Sequence, residues 1–432
     1  MMPSLARPGR FVLGLLLLAM AGVPALARAQ GISPTLLPDG TELIVVPQPG
    51  AVTASLRVVV RTGGASDPSK KEGLAHVLEH LIFQGSQDLV GAGLRERIAE
   101  VGGTVNGFTS AQSTVYTLDT PRGVFLPLAK DFLRMVTSPA LPGGPRLERE
   151  LGIIRTESTY HPLQQGVMSL VEDALFPELM PRSNLIGNSQ SRELITREDL
   201  SGFFGKYYVT SNITLVFTGA VTEGEAQQLV EEGYRLAPAL PDEQVPSRSE
   251  PANLPLVQQT RAPMFLVTFG YLISPEDRPR CRAVANLLQL RLLREAHVAE
   301  PIASELQVLC LNLRGNDLLL ALGFARTMEG SLLPDLMEET FDGLASKPPN
   351  AIERKLLARR AQREVALQLA EGPALADWVS TRAVEPRAND GLTDLGALKP
   401  SPELSPSALK SFVQRYFLPE RQVRIVFSPL EG

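Results

Sequence analysis

From residue 41 onward the chain falls into short apolar runs separated by polar turns. Residues 42–46 (Glu-Leu-Ile-Val-Val) and 54–60 (Ala-Ser-Leu-Arg-Val-Val-Val) are rich in β-branched residues and predict two strands. Residues 104–109 and 113–118 predict a second pair, close enough to form a hairpin. Apolar residues at steps of three and four predict helices over 74–85, about 91–101, 122–137, 147–159, 165–176, 197–208 and 222–235, with a further strand at 213–219. Prolines then crowd among polar residues over 236–262, as in an interdomain linker.

The second half repeats this plan. Residues 264–269 read as a strand in the place of 56–60, and a helix at about 279–296 answers 74–85. A helix at 352–370 answers 147–159, and 412–417 with 425–427 echo 204–208 with 215–217. The expectation is an α+β protein of two homologous domains, at 30–240 and 263–432, joined by a linker at 241–262. The chemistry does not repeat: Lys355 aligns with Glu150 and Gln362 with Glu157.

Residues 1–29 are expected to lie outside this fold. Arg7 and Arg10 precede an apolar run from Phe11, Pro24 breaks it, and Ala27-Arg28-Ala29 is a small-x-small cleavage site. The segment reads as a signal peptide with Gln30 as the mature N-terminus, an uncleaved membrane anchor being the alternative. Export follows, most simply to a bacterial periplasm, with membrane contact only through that segment. Cys281 and Cys310 could pair in such an oxidising compartment, and two buried thiols fit the sequence equally well. With 44% hydrophobic and 21% charged residues the chain has a full globular core. A net charge of −5 with no basic stripe excludes nucleic acid as a partner.

The stretch that carries chemistry is Leu-Ala-His-Val-Leu-Glu-His-Leu-Ile-Phe-Gln-Gly at 74–85. On a helix, Leu74, Val77, Leu78, Leu81 and Ile82 form one stripe, and His76, Glu79, His80 and Phe83 the opposite one. Histidines at i and i+4 sit one turn apart and can reach one metal ion, with Glu79 beside them as a general base. Such a chain holds two of its four histidines in one turn of helix. A zinc site needs a third protein ligand, and Glu157 is the candidate. Glu150 and Glu157 lie along the edge of the apolar stripe of Leu147, Leu151 and Ile154, where carboxylates are costly unless a cation or donors meet them. Glu150 then orients a ligand imidazole, or is a partly buried carboxylate paired with Arg95 or Arg97.

These residues resemble the pitrilysin or insulinase family of inverzincin metallopeptidases, which includes the mitochondrial processing peptidase and its bacterial relatives. The resemblance rests on His76-Val-Leu-Glu79-His80 and on Glu150 and Glu157 downstream. Gly102-Gly103-Thr-Val-Asn106-Gly-Phe-Thr109 is similar to the family's Gly-Gly-x-x-Asn-Ala-x-Thr, with Gly107 where alanine is usual. Tyr207, Tyr208 and Asn212 also stand at family positions. The resemblance implies one Zn2+ per chain on His76, His80 and Glu157, Glu79 as base and Glu150 in support. It implies two domains, each a mostly antiparallel sheet with helices on one face, forming half of a clam-shell around peptides or unfolded segments. Asn106 would lie on an edge strand to which substrate adds, or is simply a strand residue beside a turn.

One departure stands out. Family members grip substrate with an arginine followed seven residues later by a tyrosine in the second domain. Arg294 matches the first, but Pro301 stands in the tyrosine's place. The expectation is an exported zinc endopeptidase completed as a heterodimer by a homologous subunit that supplies Arg and Tyr, with a homodimer relying on Arg294 as the rival assembly. The rival function is a non-catalytic scaffold subunit that keeps the fold. The full set of His76, Glu79, His80 and Glu157 weighs against it.

Overall fold

A computed structural model describes residues 34–86, 91–160, 171–172, 174–177, 187, 189–234, 236, 250–251, 254–261, 265–296, 302–313, 315–325, 328–370, 372–384, 402 and 404–428. The expected signal segment, most of the expected helix at 165–176, most of the linker, and Pro301 lie outside these residues. Of residues 157–160 only the helical backbone is described.

The first half is a six-stranded sheet in the order β1-β2-β6-β3-β5-β4. Its strands are β1 (Thr35–Leu36), β2 (Glu42–Pro47), β3 (Thr53–Val60), β4 (Thr104–Thr109), β5 (Thr114–Pro121) and β6 (Ile213–Gly219). Neighbours pair antiparallel except β2 with β6. The helices are α1 (Leu74–Ile82), α2 (Gly91–Glu100), α3 (Arg122–Thr137), α4 (Pro145–Tyr160), the short α5 (Ser189–Glu193), α6 (Arg197–Tyr207) and α7 (Glu223–Gly233). Alternation decides which face they cover. Ala54, Leu56, Val58 and Val60 of β3 join Leu74, Val77, Leu78, Phe125 and Phe132 in one core.

The second half repeats the topology in a five-stranded sheet, β7-β11-β8-β10-β9. Here β7 is Leu256–Arg261, β8 Phe265–Ile273, β9 Glu305–Leu313, β10 Asn316–Ala325 and β11 Gln422–Ser428. The helices are α8 (Arg278–Ala296), α9 (Leu333–Ser346), α10 (Ala351–Ala370), α11 (Gly372–Val384) and α12 (Pro406–Tyr416). Again one pair, β7 with β11, is parallel, so each strand from β7 onward has its counterpart among β2 to β6. The linker expected over 241–262 therefore ends early, because 256–261 pairs with β11 as an edge strand. Its polar Gln258 and Gln259 hid it among the prolines. Cys281 of α8 and Cys310 of β9 are joined as a disulfide.

Helices cover one face of each sheet, and the other face is covered from the opposite half. Leu375 and Val379 of α11 pack on Ile44 and Val216 of the first sheet. Reciprocally, Val171, Leu175 and Phe176 pack on Leu318, Leu320, Val423 and Ile425 of the second. This exchange explains why residues 58–60 and 318–322 read as unbroken apolar runs in antiparallel strands. It also buries a charge. Arg57 of β3, 1% exposed, pairs with Asp119 at 2.8 Å and with Asp377 of α11 at 2.7 Å.

Candidate active site

The helix carrying the histidines is short and starts abruptly. Gly73 takes a left-handed conformation (φ 96°), which glycine adopts without a Cβ penalty. The cap comes from upstream, where the carboxylate of Asp67 accepts from the backbone N–H of Gly73 at 2.7 Å and of Ala75 at 2.9 Å. Burial pushes the Asp67 carboxyl up to about 7 against the pull of these donors. Leu74, Val77, Leu78, Leu81 and Ile82 are fully buried in the core, as their stripe requires. The opposite stripe is covered too, by β4, α4 and α6, so that His76 and Glu79 are also buried.

His76 and His80 converge. Their Nε2 atoms are 3.3 Å apart and the rings meet edge to face. A tetrahedral ion bound at 2.0–2.1 Å from each of two imidazole nitrogens needs them about 3.3–3.4 Å apart, so the pair fits zinc without rearrangement. Burial, followed by the nearby His80 and the Arg192 charge, lowers the His76 pKa to about 3 and keeps the ring neutral, the form that ligates metal. Glu150 of α4 is buried and its Oε2 lies 3.6 Å from His80 Nδ1. Its other oxygen accepts from Gln84 Nε2 at 2.7 Å. A carboxylate on Nδ1 favours the tautomer that leaves the Nε2 lone pair for a metal. Of the alternative arginine partners, Arg97 pairs with Asp131, whereas Arg95, its guanidinium stacked 4.3 Å over the Phe83 ring, stays within electrostatic reach of Glu150 and Glu79. Glu157 continues α4 two turns beyond Glu150, and its side chain lies outside the described residues. Among the described residues no group of three His, Cys, Asp or Glu side chains closes around one point.

Glu79 is held from the strand side. The Thr109 hydroxyl of β4 donates to Glu79 Oε2 at 2.9 Å, in a buried setting. A Cβ added at Gly107, two residues earlier on the same face, would lie 2.5 Å from Glu79 Oε1 and 2.8 Å from Phe83. The carboxylate therefore rests on bare backbone, where this chain departs from alanine. Beneath it lies a buried pair, with the hydroxyls of Tyr116 and Tyr208 2.7 Å apart. β4 is the edge of its sheet, and burial alternates along it, Thr109 and Gly107 facing inward while Asn106 and Phe108 are exposed. Asn106 thus sits on the edge strand as expected, on the face away from Glu79. Asn212 has a structural task, donating to Thr62 Oγ1 and the Tyr207 carbonyl.

The second half holds charge pairing where the first holds histidines. Buried Arg291 of α8 makes two hydrogen bonds to Glu353 of α10, joining these helices as His80 and Glu150 join α1 and α4. Arg294 ends α8 with an exposed side chain, 3.9 Å from Glu353. Sequence reasoning passed over Thr109, Gln84 and Arg192. The first stands inside the Asn106 motif and could have been found there. Gln84 and Arg192 carry no signal of their own.

Against known proteins, residues 43–161 match the family model described as insulinase (peptidase family M16), and residues 194–293 match the peptidase M16 inactive domain. This chain belongs to peptidase family M16. The first match holds His76, Glu79, His80, Glu150 and Glu157. Among M16 relatives, the mitochondrial-processing peptidase subunit beta of Blastocladiella emersonii is 26% identical over 209 residues, 47% of this chain and 44% of that protein. An uncharacterized zinc protease of Mycobacterium leprae is 26% identical over 211 residues, 48% of this chain and 47% of that one. The matched region thus spans less than half the length of these curated relatives. A protease from Helicobacter pylori has the same M16 fold, with a TM-score of 0.77 at 18% identity over 92% of this chain and 99% of that one.

Proposed function

We propose that this M16 chain is a zinc endopeptidase acting on peptides or unfolded segments. His76, His80 and Glu157 hold the metal, and Glu79 is the general base. The observation that carries the reading is the 3.3 Å separation of the two Nε2 atoms on a buried helix face, beside a carboxylate anchored for proton transfer. Zinc bound there supplies the positive charge that activates water and polarises a peptide carbonyl. The chain's own residues do the rest. Glu150 holds the His80 ring in the ligating tautomer, and burial keeps His76 neutral. Glu79 accepts a proton from the attacking water and returns it to the leaving amine. Extended substrate adds to β4, the edge strand of its sheet among the described residues, alongside Asn106, so that backbone rather than sequence is read.

The proposal extends to setting and assembly. Export to a periplasm is supported by the leader pattern and by the Cys281–Cys310 disulfide, which persists in oxidising compartments. A heterodimer with a homologous subunit is supported by Pro301 in place of a tyrosine, by a relative named as a subunit, and by the resemblance of residues 194–293 to an inactive domain. Metal analysis tests the site: the wild-type chain should carry one zinc, and Glu157→Gln should lose most of it. A Glu157→Gln variant that keeps stoichiometric zinc would remove Glu157 from the ligand set.

A further inference from the structure

The metal ligands and the base share one helix, but the base is oriented by a different element. On α1 a glutamate has several rotatable bonds, so its carboxylate takes its orientation from what surrounds it. Two features of β4 bear directly on it. The Thr109 hydroxyl donates to Oε2 at 2.9 Å, and Gly107 lets Oε1 approach the strand more closely than any Cβ would permit. Both face inward on the same side of β4, and both contacts are buried.

We infer that Thr109 is a positioning residue: its hydroxyl fixes the Glu79 carboxylate in the orientation that proton transfer needs, with the Gly107 backbone as the floor it rests on. The inference rests on the reading of Glu79 as base and assigns a role to a residue outside the metal site. It has a mechanical corollary. Among the described residues β4 is bonded on one side only, to β5, which leaves its other edge for an extended peptide. A peptide that adds to this edge stiffens the same strand that carries Thr109 and Gly107. Substrate docking and base alignment are therefore coupled through one strand. The hydrogen bond of Thr109 runs to the base and not to a candidate metal ligand, so its loss should leave metal binding intact.

The test uses Thr109→Val, which removes the hydroxyl at nearly constant shape, and Thr109→Ser, which keeps it. Thr109→Val should lower kcat by about 10- to 100-fold on an unfolded peptide, the scale of a misaligned catalytic group, with KM and zinc content unchanged. Thr109→Ser should recover most of the rate. A second readout needs no turnover: in urea unfolding of the metal-free chain, Thr109→Val and Glu79→Ala should be non-additive, since each removes one side of the same bond. Full kcat in Thr109→Val, equal losses in Val and Ser variants, or additive stabilities would each overturn the inference. Glu79→Gln separates it from the reading beneath it. An active Glu79→Gln removes the base assignment itself, whereas an inactive one beside a fully active Thr109→Val removes only the role of Thr109.

Discussion

Replacing Glu150 by glutamine tests how much of the metal site is built outside its ligands. The carboxylate sits 3.6 Å from His80 Nδ1 and is almost wholly buried. A full charge pair at that distance is worth about 4–5 kcal/mol at an effective dielectric of ~20, which sets a ceiling, since a metal-bound imidazole carries only part of a positive charge. Glutamine also meets a conflict of donors. Gln84 already donates to one oxygen, so the new amide nitrogen would face the Nδ1–H of His80. Glu150→Gln should therefore lower metal affinity by roughly 10–100-fold, about 1.4–2.7 kcal/mol, without abolishing binding. Competition with a chelator of known affinity measures it. An unchanged affinity would make Glu150 a buried structural carboxylate with no part in the site.

Two further outcomes follow from the fold and the assembly. Replacing both Asp119 and Asp377 by alanine strands the buried Arg57 charge and should cost about 3–5 kcal/mol in unfolding free energy, more than Arg57→Met, which removes the charge and leaves two carboxylates able to hydrate; urea titrations giving the reverse order would refute this account of the junction. If the proposed heterodimer supplies an oxyanion donor for which this chain has Pro301, the purified chain alone should cleave an unfolded peptide slowly, roughly 10²–10³-fold below the rate with a homologous subunit presenting Arg and Tyr. Full activity from the single chain, unchanged by such a companion, would contradict the heterodimer.

The site was legible in the sequence wherever a single helix carries its logic. Spacing alone placed His76, Glu79 and His80 on one stripe of α1 and put Glu150 on an inward edge of α4; His76, Glu79 and Glu150 are buried there and His80 is half-buried. The repeat was legible too, since the strands expected at 54–60 and 213–219 have the expected counterparts in β8 and β11. What escaped is tertiary. Nothing local marks α11 as the cover of the first sheet, and Arg57 in an apolar run gives no hint that its partner is 320 residues away. β7 was lost among prolines because an edge strand needs little apolar surface. Thr109 was visible as part of a motif, but its bond to Glu79 depends on how β4 packs across α1. A side chain's partner is written in the fold, and a helix wheel shows only where it points.

The central claim is that Glu79 moves protons at a metal held by other side chains. Steady-state hydrolysis of an unfolded peptide by Glu79→Gln, at zinc content matched to wild type, tests it most directly. The account requires zinc to be retained and kcat/KM to fall by about 10³-fold or more, some 4 kcal/mol of transition-state stabilisation. A zinc-loaded Glu79→Gln that cleaves the peptide at close to the wild-type rate would contradict it.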